Sequence, residues 1–173
     1  MNRLHDPRQH DDLLNYRLKR IVTVGGAPAI RLCEGRYGIS RLEWRLIAAL
    51  VEDGQMSPSK LAERCWPLDK ARVSKTLTSL AAKGLVDRGE LAQDRRRATV
   101  CATQSGHRLY DELFPQLAEI NRNIMAALDT KEALVLERCL RKLTDRARQI
   151  YDVGGGVDVR ANRRLGGSRR FWS

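Results

Sequence analysis

The stretch LDKARVSKTLTSLAAKGLVDRGELAQDRRRATVCAT, residues 68 to 103, decides how the rest of the chain is read. Between Leu68 and Ala82, the residues Val73, Leu77 and Leu80 recur at i, i+4 and i+7, which lines one side of a helix. That stripe predicts docking onto an apolar core. The opposite face carries Ala71, Arg72, Lys75, Thr78 and Ser79, with Ser74 at its flank. These are short or basic side chains with no carboxylate, a surface that suits approach to a polyanion. Gly84 reads as a helix stop. Leu85 to Arg88 suit a short strand, a turn falls within Gly89 to Gln93, and Ala98 to Ala102 return as a strand rich in β-preferring residues. Asp94, Arg95, Arg96 and Arg97 therefore lie at or just past a hairpin tip. A helix followed by a hairpin charged in this way reads as a DNA-reading element.

Upstream, Ser57 followed by Pro58 is an N-cap with proline at the first helical position. It opens a short helix through Leu61, Ala62 and Arg64 that Trp66 and Pro67 stop. The next helix begins almost at once, so the pair reads as a helix-turn-helix with a connection of about four residues, and the hairpin as its wing. Before it, Ser40 and Glu43 form a capping box for a helix through Trp44, Leu46, Ile47, Leu50 and Val51 to about Asp53, ended by Gly54. From about Asp11, the residues Leu13, Leu14, Tyr16, Leu18, Ile21 and Val22 mark an amphipathic helix. Gly25, Gly26 and Pro28 predict a break or strong kink before helical character resumes from Ala29 to Glu34.

Downstream, Thr103 can cap a helix carrying Leu109, Leu113, Leu117, Ile120, Ile124 and Leu128, which Pro115 should bend without ending. Thr130 reads as the cap of a last helix with Leu136, Leu140, Leu143, Ala147 and Ile150 on one side. Two such helices present more apolar surface than the winged unit can cover. A second copy of the chain would cover it, and an intramolecular bundle is the alternative. The expected fold is mainly α with a small β wing: a winged helix-turn-helix domain plus N- and C-terminal dimerisation helices. The expected layout is a disordered N-terminus at 1–10, kinked dimerisation helices at 11–39 and the winged domain at 40–103. C-terminal dimerisation helices follow at 104–151, and a flexible basic tail at 152–173, where five arginines and five glycines fall among few apolar residues.

Composition agrees with a nucleic-acid partner. The 173 residues carry 32 Lys or Arg against 21 Asp or Glu, a net +11, and residues 60 to 97 alone hold ten basic against five acidic side chains. Each phosphate neutralised by such a surface releases condensed counterions. No apolar run is long enough for a membrane span, and the first residues are too polar for a signal peptide, so the expected location is the cytoplasm. Cys33, Cys65, Cys101 and Cys139 show no paired spacing, which argues against zinc or a disulfide framework and for reduced, mostly core cysteines. No paired carboxylates, nucleophile-base pair or metal-ligand cluster is apparent, so neither an enzyme, a metal site nor a cofactor is expected.

Taken together, WRLIAAL at 44–50, Tyr37, Gly38 and Ile39 before the capping box, Leu61 with Ala62, Val73-Ser74-Lys75, KGLVDR at 83–88, Asp94 with Arg95 and Arg96, and Thr103 with Gly106 carry a resemblance. Over about residues 12 to 151 the chain resembles the MarR family of bacterial transcriptional regulators. The resemblance implies a homodimer on double-stranded DNA, a repressor of a pseudo-palindromic operator, with recognition helices in major grooves and wings in minor grooves. The implied DNA contacts are Ser57, Ser59, Lys70, Arg72, Ser74, Lys75, Thr78, Ser79, Asp94, Arg95, Arg96 and Arg97. Ser74 and Lys75 match a Ser/Thr-Arg pair. Lysine lacks the planar fork that arginine offers to guanine, which favours a phosphate contact there. Asp69 matches a wing-orienting partner for Arg96, and capping its own helix suits it equally; Arg95 or Arg97 is then the minor-groove residue, with Arg97 alternatively turned to solvent.

The resemblance further implies release by a small aromatic or phenolic acid or its thioester, with Arg20, Arg31, Trp44, Arg45, His107 and Tyr110 as candidate contacts. Trp44 also suits a plain core position. Two alternatives stand beside this reading. One is a thiol-based redox regulator using Cys33, near Arg31 and Arg36, or Cys65. The other is a winged-helix protein-interaction module.

Overall fold

The computed structural model describes residues 3–66, 68–91 and 94–153, with the side chains of 90, 91 and 94–97 outside the description. Its contacts divide the chain into two compact units, the first ending at Ile124 and the second starting at Met125. Leu113, well along the helix that follows the wing, is fully buried in the core that the winged elements share.

In the first unit a short 3-10 turn, His10–Asp12, leads into α1, Leu14–Ile30, and a wide π-type turn, Arg31–Arg36. The break expected at Gly25, Gly26 and Pro28 does not occur. The amide of Arg31 reaches the carbonyls of both Ala27 and Pro28, and the irregularity appears afterwards as the π turn. The glycines have a different use. A Cβ at Gly25 would lie 3.0 Å from Ile124 Cδ1, and one at Gly26 would lie 3.2 Å from Arg41 Nη1. They permit close approach of neighbouring side chains to α1.

The next three helices follow their local signals. Helix α2, Arg41–Asp53, begins in a reciprocal capping box: Ser40 Oγ accepts from the Glu43 amide at 3.1 Å, and Glu43 Oε2 accepts from the Ser40 amide at 2.7 Å. It ends at Gly54, whose φ of 78° lies in the left-handed region. Helix α3, Pro58–Arg64, is capped by Ser57, and α4, Lys70–Ala82, by Asp69, whose carboxylate accepts from the Arg72 amide at 2.8 Å. Val73, Thr76, Leu77 and Leu80 on α4 are buried against Leu46, Ile47 and Leu50 of α2 and Leu61 of α3 in one core.

The wing is an antiparallel pair, β1 (Val86–Leu91) and β2 (Asp94–Ala102), in register from Val86 opposite Ala102 to Glu90 opposite Ala98. Val86 and Val100 point into the core. A bridge absent from the sequence reading fixes the outer edge: Met56 and Val100 exchange both backbone hydrogen bonds, at 2.9 and 3.1 Å. The wing is therefore sewn to the connection between α2 and α3.

Helix α5, Gln104–Met125, runs through Pro115 without interruption. Thr103 Oγ1 accepts from the Gly106 amide at 3.0 Å and donates to the Gly84 carbonyl at 2.7 Å, joining the start of α5 to the end of α4. Gly106 is required there, because a Cβ would drive into the Leu85 carbonyl oxygen.

The second unit is built on α6, Thr130–Asp152. Its cap is Asp129, not Thr130. The Asp129 carboxylate accepts from the Glu132 amide at 2.8 Å while Glu132 accepts from the Asp129 amide at 2.9 Å. A carboxylate is the stronger acceptor and also favours the positive end of the helix dipole, so the helix starts one residue earlier than a threonine cap would place it. Of the cysteines, Cys33 and Cys65 are buried, Cys101 is half-buried and Cys139 is exposed, so the core expectation holds for two of four.

Candidate nucleic-acid interface

Helix α4 turns its apolar stripe inward, and what remains outside is Lys70, Ala71, Arg72, Ser74, Lys75, Thr78 and Ser79, all exposed. Arg72 and Lys75 lie about one turn apart on the face that the core does not use. Together with Ser40, Leu42, Glu43, Thr76, Ser79 and Lys83 they line a shallow cleft along the side of the helix. Of the other expected contacts, Ser59 is exposed at the start of α3, whereas Ser57 spends its hydroxyl capping that helix by accepting from the Lys60 amide at 3.2 Å. Ser79, though exposed, spends its hydroxyl on α2, donating to Glu43 Oε1 at 2.8 Å. Asp94, Arg95, Arg96 and Arg97 begin β2, but their side chains lie outside the described residues, and so does the expected pairing of Arg96 with Asp69.

Two anchors hold this face in place. One is Glu43, which is 5% exposed and accepts from the Ser40 amide, the Ser79 hydroxyl and the Lys83 ammonium, the last at 2.9 Å. Burial pushes its carboxyl up, yet the bonds from Lys83, Ser40 and Ser79 together outweigh that and hold it below the ordinary glutamate value. Lys83 also donates to the Gly38 carbonyl at 2.8 Å. The far end of α4 is thereby fastened to the N-terminus of α2. The sequence marks Glu43 only as a capping residue; its contact with α4 spans forty residues and has no local signal.

The second anchor is Arg88 on β1, which also escaped the sequence reading. Its Nη2 donates to the Ser74 carbonyl at 3.1 Å and to Thr78 Oγ1 at 3.0 Å, spanning from the wing to the outer face of α4.

The residues expected at an effector site divide. Trp44 and Tyr110 stack with ring centroids 5.4 Å apart, and Phe114 continues the stack at 5.3 Å from Tyr110. Tyr110 donates to Glu52 Oε1 at 3.0 Å, and burial together with that bond pushes its phenol above the ordinary tyrosine value. Arg45 is committed elsewhere, donating to the Trp66 carbonyl at 2.6 Å just ahead of α4. Arg20, Arg31 and His107 are exposed. The buried thiols lean away from reactivity: desolvation raises both Cys33 and Cys65, although Arg41 acts in the opposite direction on Cys33 and Arg45 on Cys65.

This arrangement has known relatives. A model of the MarR family matches residues 37–97, from the end of the π turn into the return strand of the wing. The HTH-type transcriptional regulator FarR of Neisseria gonorrhoeae is 30% identical over 105 residues, covering 61% of this chain and 71% of that protein. The chain belongs to the MarR family. It is also similar to the homoprotocatechuate degradative operon repressor of Escherichia coli, 27% identical over 62% of this chain and 72% of that one. Among solved structures, BpsR of Bordetella bronchiseptica, whose DNA binding is regulated by 6-hydroxynicotinic acid, superposes with a TM-score of 0.71 at 22% identity, covering 80% of this chain and 98% of BpsR. The elements assembled above are thus the winged-helix fold of a MarR-family transcriptional regulator. Among the described residues no helix is long and apolar enough to cross a membrane.

Proposed function

We propose that this MarR-family protein is a homodimeric repressor that reads a pseudo-palindromic operator and is released from it by a small aromatic acid or its thioester. The observation that carries the DNA reading is the outer face of α4, where Arg72 and Lys75 are exposed among hydroxyl side chains, with no carboxylate, beside a hairpin that begins with Asp94 and three arginines. Lys75 supplies a point charge to phosphate, while Ser74 and Thr78 lie on the part of the helix that a major groove would receive. Arg95 or Arg97 is the cation for the minor groove.

Dimerisation is supported by α6, where Leu136, Leu140, Leu143 and Ile150 recur along one side and remain 37 to 42% exposed in the single chain. A twofold arrangement would cover that row and set two reading helices at one spacing. Effector release draws on the Trp44, Tyr110 and Phe114 stack and on two relatives whose names carry aromatic acids, homoprotocatechuate and 6-hydroxynicotinic acid. The raised Cys33 and Cys65 thiols count against the redox alternative, and the cationic face of α4 against a protein-interaction module.

Selection of duplexes from a randomised pool, followed by stoichiometry on the enriched sequence, tests the core of this reading. The expected product is an inverted repeat that binds two chains. Enrichment of an asymmetric site bound by one chain would contradict it.

A further inference from the structure

The three atoms Arg88 Nη2, Ser74 O and Thr78 Oγ1 form a closed triangle between wing and reading helix. Arg88 donates to both oxygens, at 3.1 and 3.0 Å, and Thr78 Oγ1 itself donates to the Ser74 carbonyl at 3.1 Å. We propose that Arg88 is a positioning residue for base recognition: it locks β1 onto α4 and fixes the hydroxyl of Thr78, so that Thr78 faces DNA without a proton to donate. This rests on the reading of α4 as the base-reading helix.

The chemistry follows from what a hydroxyl has to offer, which is one proton and two lone pairs. The proton goes to Ser74 O and one lone pair to Arg88, leaving one lone pair and the methyl group. Thr78 in that state cannot donate to guanine O6 or N7, to thymine O4 or to a phosphate oxygen. It can accept from the amino group of adenine or cytosine, or pack its methyl against that of thymine. Arg88 also carries charge close to DNA, and the rival explanation is an ordinary phosphate contact. The two differ in geometry. A phosphate contact needs only the charge, whereas the triangle needs a guanidinium nitrogen in reach of two oxygens on successive turns of the helix, which a lysine ammonium on a different stem does not reproduce.

The experiment uses the full chain, the duplex that the unmodified protein enriches from a randomised pool, and poly(dI-dC) as non-specific DNA. Arg88→Lys keeps the charge. The expected result is about a tenfold loss of affinity for the enriched duplex, equivalent to about 1.4 kcal/mol, with poly(dI-dC) binding and the salt slope unchanged. Thr78→Val removes the acceptor while keeping the shape; it should weaken the same binding, and the double variant should be no weaker than the weaker single one. Arg88→Lys binding like the parent overturns the proposal. So does a parallel loss on both DNAs, which base recognition would not give, or additive losses in the double variant. Failure of the parent to enrich any duplex would instead remove the reading of α4 on which the proposal stands.

Discussion

The ammonium of Lys83, just past the last turn of α4, lies 2.9 Å from the buried carboxylate of Glu43 in the first turn of α2. Through that pair and the hydroxyl of Ser79, one glutamate both caps α2 and clamps the reading helix, so local helix formation and orientation of the DNA face share a group.

Replacing Glu43 by Gln should therefore destabilise the protein by about 1–2 kcal/mol at neutral pH; a charged hydrogen bond is worth more than this when buried, and partial exposure of Lys83 reduces it. The carboxyl is held below its ordinary 4.5 in the folded state, so its contribution is complete above that value and is lost as pH falls through the lower folded value. Urea denaturation of parent and variant should show the stability gap constant between pH 6 and 8, by our estimate at roughly the magnitude above, and narrowing as the pH drops below about 4.5. A gap that widens on acidification would reverse the sign of the argument.

Gly106→Ala should lower the melting temperature, despite alanine's better helix propensity of about 1 kcal/mol. The added Cβ meets the backbone carbonyl of Leu85, which sits where α4, β1 and α5 are joined and cannot yield as a side-chain end would. Overpacking of this kind costs about 1–3 kcal/mol or more. A variant as stable as the parent in a thermal melt would show that the junction is looser than described.

Peroxide should leave DNA binding unchanged. Cys33 and Cys65 are each 1% exposed, and burial raises both thiols, which suppresses the thiolate. In thiol titration with a bulky disulfide reagent, the exposed Cys139 should react first and Cys33 and Cys65 only on unfolding. Fast reaction at Cys33 in the native protein would restore the redox alternative.

Aromatic carboxylates and their thioesters should raise the melting temperature, a ligand at 100 times its dissociation constant adding about 2.7 kcal/mol. Trp44→Ala should abolish the shift while leaving binding to the enriched duplex in the absence of ligand within about twofold, since Trp44 lies outside the DNA face. A retained shift in that variant would place the ligand elsewhere.

Much of this was legible in the chain itself. The capping box at Ser40 and Glu43, the Ser57-Pro58 start of α3 and the stripe Val73, Leu77, Leu80 are local signals, each set by interactions within a turn or two, and each element formed where the residues place it. The long-range ties were hidden. Nothing near Arg88 marks it as the partner of Ser74 and Thr78, and nothing near Met56 marks its bridge to Val100, because both depend on elements brought together by the core. Gly25, Gly26 and Pro28 misled for a related reason. Judged by propensity they break a helix, whereas in the fold the glycines admit Ile124 and Arg41 and the disturbance is passed to the π turn. Thr130 lost its capping role to Asp129 because the preceding carboxylate had Glu132 at the reciprocal position.

The central claim is that α4 and the wing of this MarR-family chain read DNA through particular cations. Equilibrium binding of Lys75→Ala and Arg95→Ala to the enriched duplex, at matched salt and with folding verified by circular dichroism, tests it most directly. The account predicts that each variant loses about 1–3 kcal/mol of binding free energy without loss of fold, and that Lys75→Ala shows a salt slope shallower by about 0.9. Binding by both variants equal to that of the parent would contradict it.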